Sequence, residues 1–182
     1  MRFVFNERKA AQAAAFLLRL NHGRMPYLKL IKLMYLADRE ALVKTGLPMT
    51  GDRYVSMDKG PVLSRVYALI CEPTAKHDSP WFEYVTKPHG YAVSAVKYRN
   101  DIDELSAYET DLLQTTFERF RKMDQFALAD LTHKICPEWH DPDGSSIPIE
   151  PADVMRAGGA TPEDIQEAER ESMELFLIDN LR

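Results

Sequence analysis

The stretch YLKLIKLMYLADREALVK, residues 27–44, decides the fold. Apolar side chains fall on almost every side of a 3.6-residue turn, so a helix here belongs in the centre of a core. Pro26 suits a first-turn position, where a missing N–H costs nothing, and Gly46 and Pro48 stop the helix. Its few polar residues, Lys29, Lys32, Asp38, Arg39 and Glu40, are expected to emerge on one narrow strip. Lys29 and Lys32 also break the most apolar run, Tyr27 to Ala37, well short of the roughly 18 residues that a membrane span needs.

Working outward, Asn6 and Glu7 suit a helix start, and the Ala-rich run to Leu20 closes near Gly23, which predicts a helix over 7–21. After the central helix, residues 47–59 are turn-rich around a short extended candidate at Arg53 to Met57. Pro61 is read as the first turn of a third helix, with Val62, Val66 and Leu69 or Ile70 as its stripe and Pro73 as its end. From Trp81 to Tyr98 the aromatic and β-branched residues, interrupted by Lys87-Pro88-His89-Gly90, predict a hairpin. Ser106 and Glu109 have capping-box spacing for a helix to about Lys122; Asp124 caps another through Ile135, and residues 141–151 form a loop. Thr161-Pro162-Glu163-Asp164 opens a last helix whose Ile165, Ala168, Ser172, Leu175 and Phe176 dock on the body. The expectation is one domain over 1–182, mainly α (α+β): a compact helical domain around a buried central helix, with a small inserted β-hairpin and an acidic C-terminal helix at 161–182.

Composition narrows the function. With 45% hydrophobic residues the 182-residue chain is neither disordered nor low-complexity. A chain this long buries roughly two-thirds of its unfolded surface, so it folds without metal or disulfides. No basic, apolar leader opens it, and the expectation is a cytoplasmic protein with Cys71 and Cys136 reduced. The net charge of −5 hides an asymmetry, because residues 1–100 carry 16 Lys+Arg against 8 Asp+Glu and residues 101–182 carry 7 against 20. Whichever face stays uncompensated after folding will steer an oppositely charged partner.

Motifs for chemistry are sparse. His133, Cys136 and His140, with Cys71 or His77 as further ligands, are the most metal-like set, but paired Cys-x-x-Cys or His-Glu-x-x-His spacings are missing and packing is the preferred explanation. No nucleophile elbow, Walker loop or dinucleotide fingerprint is present, and Gly51 and Gly60 stand alone as turn glycines. The basic residues of the first two helices raise nucleic-acid binding, which an all-round apolar second helix and a pI of about 5.6 argue against. Trp139, expected to be exposed between Pro137 and Pro142, and Tyr27, Tyr35, Tyr54 and Tyr67 are candidate protein-contact anchors, most of them core.

Three blocks resemble the Panacea, or SocA-like, antitoxin domain of bacterial and phage toxin–antitoxin systems. They are the leucine-lysine helix at 28–38 ending Tyr35-Leu36-Ala37-Asp38; Gly51-Asp52-Arg53-Tyr54 followed by Lys59-Gly60-Pro61-Val62 and Tyr67; and Leu131-Thr132-His133 with Trp139. The resemblance implies a non-enzymatic antitoxin with no cofactor, paired with a toxin encoded next door, and a place in phage defence. Some members are instead similar to a proteolytic adaptor that delivers its toxin to the ClpXP protease. It also marks Lys29, Lys32, Tyr35, Asp38, Arg39, Asp52, Lys59, Gly60, Pro61, Tyr67, His133 and Trp139 as signature or partner-binding residues. Asp38 is expected to pair with Arg53 or Lys59; His133 and Trp139 form either a buried hydrogen-bonded corner or a partner-facing pair. Segment 163–179 lies outside the shared blocks, and its acidity suggests a mimic of a nucleic-acid or nucleotide substrate.

Overall fold

The computed structural model describes residues 1–72 and 79–179. Helix α1 (Glu7–Leu20) starts on Asn6, whose side chain accepts from Lys9 N, and is followed by strand β1 (Arg24–Pro26). Helix α2 (Tyr27–Thr45) ends on Gly46 in the left-handed conformation, φ +75°. The remaining elements are β2 (Tyr54–Met57), β3 (Gly60–Leu63), α3 (Ser64–Cys71), α4 (Trp81–Tyr84), β4 (Ala92–Ser94), α5 (Ala107–Phe120), α6 (Gln125–Ile135), β5 (Ile147–Ile149), α7 (Pro151–Ala157) and α8 (Pro162–Asp179). The architecture is mainly α with two small antiparallel sheets, ordered β1-β4 and β3-β2-β5.

Helix α2 is the hub, packing against α1, α5, α6, α7 and β3. Leu30, Leu33, Met34, Tyr35, Ala37 and Leu42 are fully buried, as the apolar circumference of the helix requires. The capping motifs read at Ser106 and Asp124 are present. Ser106 and Glu109 bond reciprocally at the start of α5, and Asp124 Oδ1 accepts from Phe126 N at 2.8 Å and Ala127 N at 2.9 Å. Such caps satisfy helix-end amides that nothing else reaches.

Three predicted segments change. Residues 60–63 are strand rather than the first turn of a helix: Asp58 and Lys59 form a two-residue turn, Met57 pairs with Gly60, and β3 closes a hairpin on β2 before α3 starts at Ser64. Gly60, at φ +90°, makes that turn possible, and the helix stripe begins only at Val66. The inserted hairpin is therefore this one. The segment 81–98 is not a regular hairpin, because Trp81, Tyr84 and Val85 bury themselves at helical spacing. The Glu7 carboxylate holds that turn by accepting from Trp81 N and the Ser79 hydroxyl. Strand β4 pairs with β1 instead, leaving only bridges from Val85 to Ala95 and from His89 to Ala92. The loop read at 141–151 also contains β5, the third strand of the hairpin's sheet, and leads into α7, which begins at Pro151. The predicted helix stop at Pro73 lies outside the described residues.

A Cβ on Gly60 would overlap the Thr132 hydroxyl and approach the His133 ring to 3.2 Å. Gly60→Ala combines a left-handed backbone penalty with that clash, and chemical denaturation should show a loss of about 2–3 kcal/mol. A loss below the few tenths typical of surface changes would mean that the hairpin does not seat on α6 as described.

Candidate partner-binding site

The polar residues of α2 do not emerge on a strip. Lys29, Lys32 and Asp38 are buried, and each is held by a different neighbour. Lys29 Nζ donates to the carbonyls of Arg121 and Met123, at 2.9 and 2.7 Å, in the turn that follows α5. Lys32 Nζ donates to the Pro61 carbonyl of β3 at 2.9 Å. Asp38 accepts from Thr50 N and Oγ1, both at 2.7 Å, and from the Tyr54 hydroxyl at 2.6 Å. Asp38 thus ties the turn at Thr50 and strand β2 to α2, and among the described residues it pairs with neither Arg53 nor Lys59, the partners expected for it. A buried carboxylate satisfied by three short neutral donors needs no cation beside it.

Glu138, unremarked in the sequence, is the residue on which the next turn of α2 converges. It is buried, and it accepts from Tyr35 Oη at 2.6 Å and from Arg39 Nε and Nη2 at 2.6 and 3.1 Å. The Tyr35 and Tyr54 rings meet edge-on at 5.8 Å, so the Asp38 and Glu138 clusters are contiguous. Asp52 plays a comparable role nearby. It is buried and accepts from Arg65 N and Val66 N at 2.9 Å each, capping α3, whose own preceding residue Leu63 has no side chain to do so.

His133 and Trp139 form the corner that supports the hairpin. Their rings stack at 4.1 Å with an interplanar angle of 16°, and Trp139 Nε1 donates to the Met57 carbonyl at 3.0 Å. Trp139 is half-buried by that bond rather than exposed. His133 Nε2 is buried without a hydrogen-bond partner among the described residues, and burial followed by nearby Lys32 holds the imidazole below its usual range. Cys136 is buried and its thiol is pushed up to about 12, a poor nucleophile. Among the described residues no three His, Cys, Asp or Glu side chains converge as a metal site, and His77 lies outside those residues.

What remains open to a partner lies elsewhere. Tyr67 and Lys59 line a cleft of about 500 Å³ between α2, the hairpin turn and the start of α6, with Tyr27, Tyr91 and Phe126 around it. Tyr91 and Phe126 are largely exposed at its rim. Helix α8 is the second open surface. It touches the body along Ile165, Ala168, Ser172 and Phe176, with Ala168 seated close to Gly46 at the end of α2, while Leu175 is exposed rather than docked.

Burial drives the titration of this site in opposite directions. The Asp38 carboxyl is raised from 3.8 to about 6, against the pull of its hydrogen bonds, and the Lys32 ammonium is lowered from 10.5 to about 7. Between 3.8 and 6 the folded chain binds the extra proton on Asp38, so stability falls as pH rises. Between 7 and 10.5 the unfolded chain binds the extra proton on Lys32, so stability rises with pH. Urea denaturation across pH should give a minimum near pH 6–7 and a gain of roughly 2–4 kcal/mol by pH 10, which Lys32→Met flattens. An alkaline limb that survives Lys32→Met would remove Lys32 as its source.

Among the described residues no helix is long and apolar enough to cross a membrane. Comparison with curated proteins found no match, nor did comparison with solved structures. The family model of the antitoxin SocA-like, Panacea domain matches residues 30–140, from the first turns of α2 through the Trp139 corner. That span exceeds half of the 182 residues and contains both buried carboxylate clusters, and the chain belongs to the SocA-like Panacea antitoxin family.

Proposed function

We propose that the chain is an antitoxin that neutralises a toxin encoded by an adjacent gene through direct binding, occluding the toxin's active or substrate-binding face. One observation carries the choice of direct binding: folding compensates the two charged halves of the chain unevenly. Arg8 meets Asp101 at 3.3 Å, Lys9 meets Glu109 at 2.9 Å and Arg39 meets Glu138 at 2.6 Å, so cations of the first two helices pair with acids from later in the chain. Helix α8 stays outside this exchange. It carries seven acidic residues against the single cation Arg170, which pairs with Glu167 on the same helix. Glu163, Glu169, Glu171 and Glu174 have no ion-pair partner among the described residues.

An uncompensated acidic helix attracts a basic face and speeds association, the property an inhibitor of a nucleic-acid- or nucleotide-handling toxin needs. The protein acts as a cytoplasmic binding module without a cofactor. The buried signature residues build the frame, and the exposed surfaces make the contact. Lys59 and Tyr67, which line the open cleft, are the signature positions best placed to touch a partner.

Co-expression with the neighbouring open reading frame tests this reading. Growth rescue with a one-to-one complex on size exclusion, independent of ClpXP, is the expected outcome. Rescue only in the presence of ClpXP, with loss of the toxin protein, would make the chain a proteolytic adaptor instead. Deleting residues 161–182 should abolish rescue while circular dichroism still reports a folded helical domain, and full protection by the truncated chain would remove α8 from the mechanism.

A further inference from the structure

The composition of α8 changes along its length. The acids of its first turns give way to Met173, Leu175, Leu177 and Ile178, which are 46%, 42%, 55% and 51% exposed. At 100° per residue these four side chains span an arc of about 200°, and Phe176, on the docking side, falls in the gap they leave. Phe176, the body-facing residue among them, lies under the Arg2 guanidinium at 5.8 Å and lines a cleft of about 480 Å³. Phe3, Val55, Pro148 and Ile149 line the same cleft. Phe176 therefore links the apolar end of α8 to this cleft, and Ile147, on edge strand β5, is also exposed. Exposed apolar groups gathered in the last turns of one helix, rather than scattered singly over the surface, mark an interaction site.

We propose that the apolar tip of α8 and the cleft beside Phe176 are the docking surface for the toxin, whose contact face is an apolar groove rimmed by Lys and Arg. This rests on the antitoxin reading and names the chemistry of its interface. The acids adjacent to the tip select that occupant. Any partner that covers Leu177 and Ile178 also takes Glu171 and Glu174 out of water, which is costly unless cations meet them. A second copy of this chain does the reverse, since two helices each with seven acids and one cation repel. The two parts of α8 act at different stages: the acids steer the encounter, and the apolar tip, once desolvated, slows departure.

The test measures binding kinetics between the full-length chain and the protein encoded by the adjacent gene. Leu177→Ser with Ile178→Ser should raise the dissociation rate about tenfold or more and leave the association rate within about twofold. Glu171→Gln with Glu174→Gln should do the opposite, slowing association several-fold at low salt and matching the unaltered chain at about 1 M salt. Both pairs are exposed, so thermal melts should stay close to that of the unaltered chain. An unchanged dissociation rate in the serine variant overturns the docking assignment alone. So does an unaltered chain that sediments as a dimer and is made monomeric by the serine substitutions. Failure of the unaltered chain to bind at all overturns the antitoxin reading, and this proposal with it.

Discussion

Burying polar side chains inside the central helix is the constraint on which the rest of the structure depends. Apolar contact is non-directional and would let the hairpin, the turn at residue 50 and the loop at 138 settle on α2 in several registers. A buried amine or carboxylate without a partner costs far more than a poor apolar contact, and the partner must stand at a defined place. Lys29 fixes the end of α5, Lys32 fixes β3, Asp38 fixes Thr50 and Tyr54, and Tyr35 with Arg39 fixes Glu138. Each element that frames the open cleft is positioned by one of these bonds or adjoins one that is.

This also explains where the sequence was readable. The positions of α1, α2, α5, α6 and α8 followed from periodicity and caps, and Asn6, Ser106 and Asp124 all cap where their spacing places them. The errors share one cause, which is that tertiary contact overrode local pattern. Gly60-Pro61-Val62 is consistent with a helix start, but Gly60 takes φ +90° and the Lys32 ammonium draws the Pro61 carbonyl onto α2. Trp81 to Val85 has strand composition, yet a buried Trp and Tyr three residues apart require a helical turn. Glu138 carries no local signal, because its meaning depends on partners 99 and 103 positions away. The polar residues of α2 were misplaced for the same reason: the expected exposed strip assumes that a charged group seeks water, whereas here each seeks a fixed donor or acceptor.

Charge is distributed by a similar logic. The cations of α1 and α2 that pair across the chain do so with acids of the segments that pack against those helices, so much of the asymmetry of the sequence is used internally. Helix α8 joins the body through a seam of few residues, and no first-half cation reaches its acids within ion-pair distance among the described residues. Partly exposed pairs such as Arg8 with Asp101 add little stability each, but together they leave the acidic surplus in one place. A concentrated surplus acts on association rate over about a Debye length, which a dispersed one does not.

The division between frame and surface decides what a substitution in this chain reports. Most of the residues that carry the family signature are inside the molecule, bonded to backbone carbonyls, amides and one another, and a partner does not see them. What a partner does see includes Tyr91 and Phe126 at the cleft and the length of α8, and α8 lies wholly outside the matched span of 30–140. Surface positions tolerate substitution with little cost to stability, whereas a change at Asp38 or Glu138 strands buried donors. A fixed interior and a replaceable exterior therefore allow new contact surfaces to be written without disturbing the fold. Loss of neutralisation on substituting a buried signature residue consequently reports on the frame. Only a change in binding per folded molecule, at an exposed position, reports on the contact.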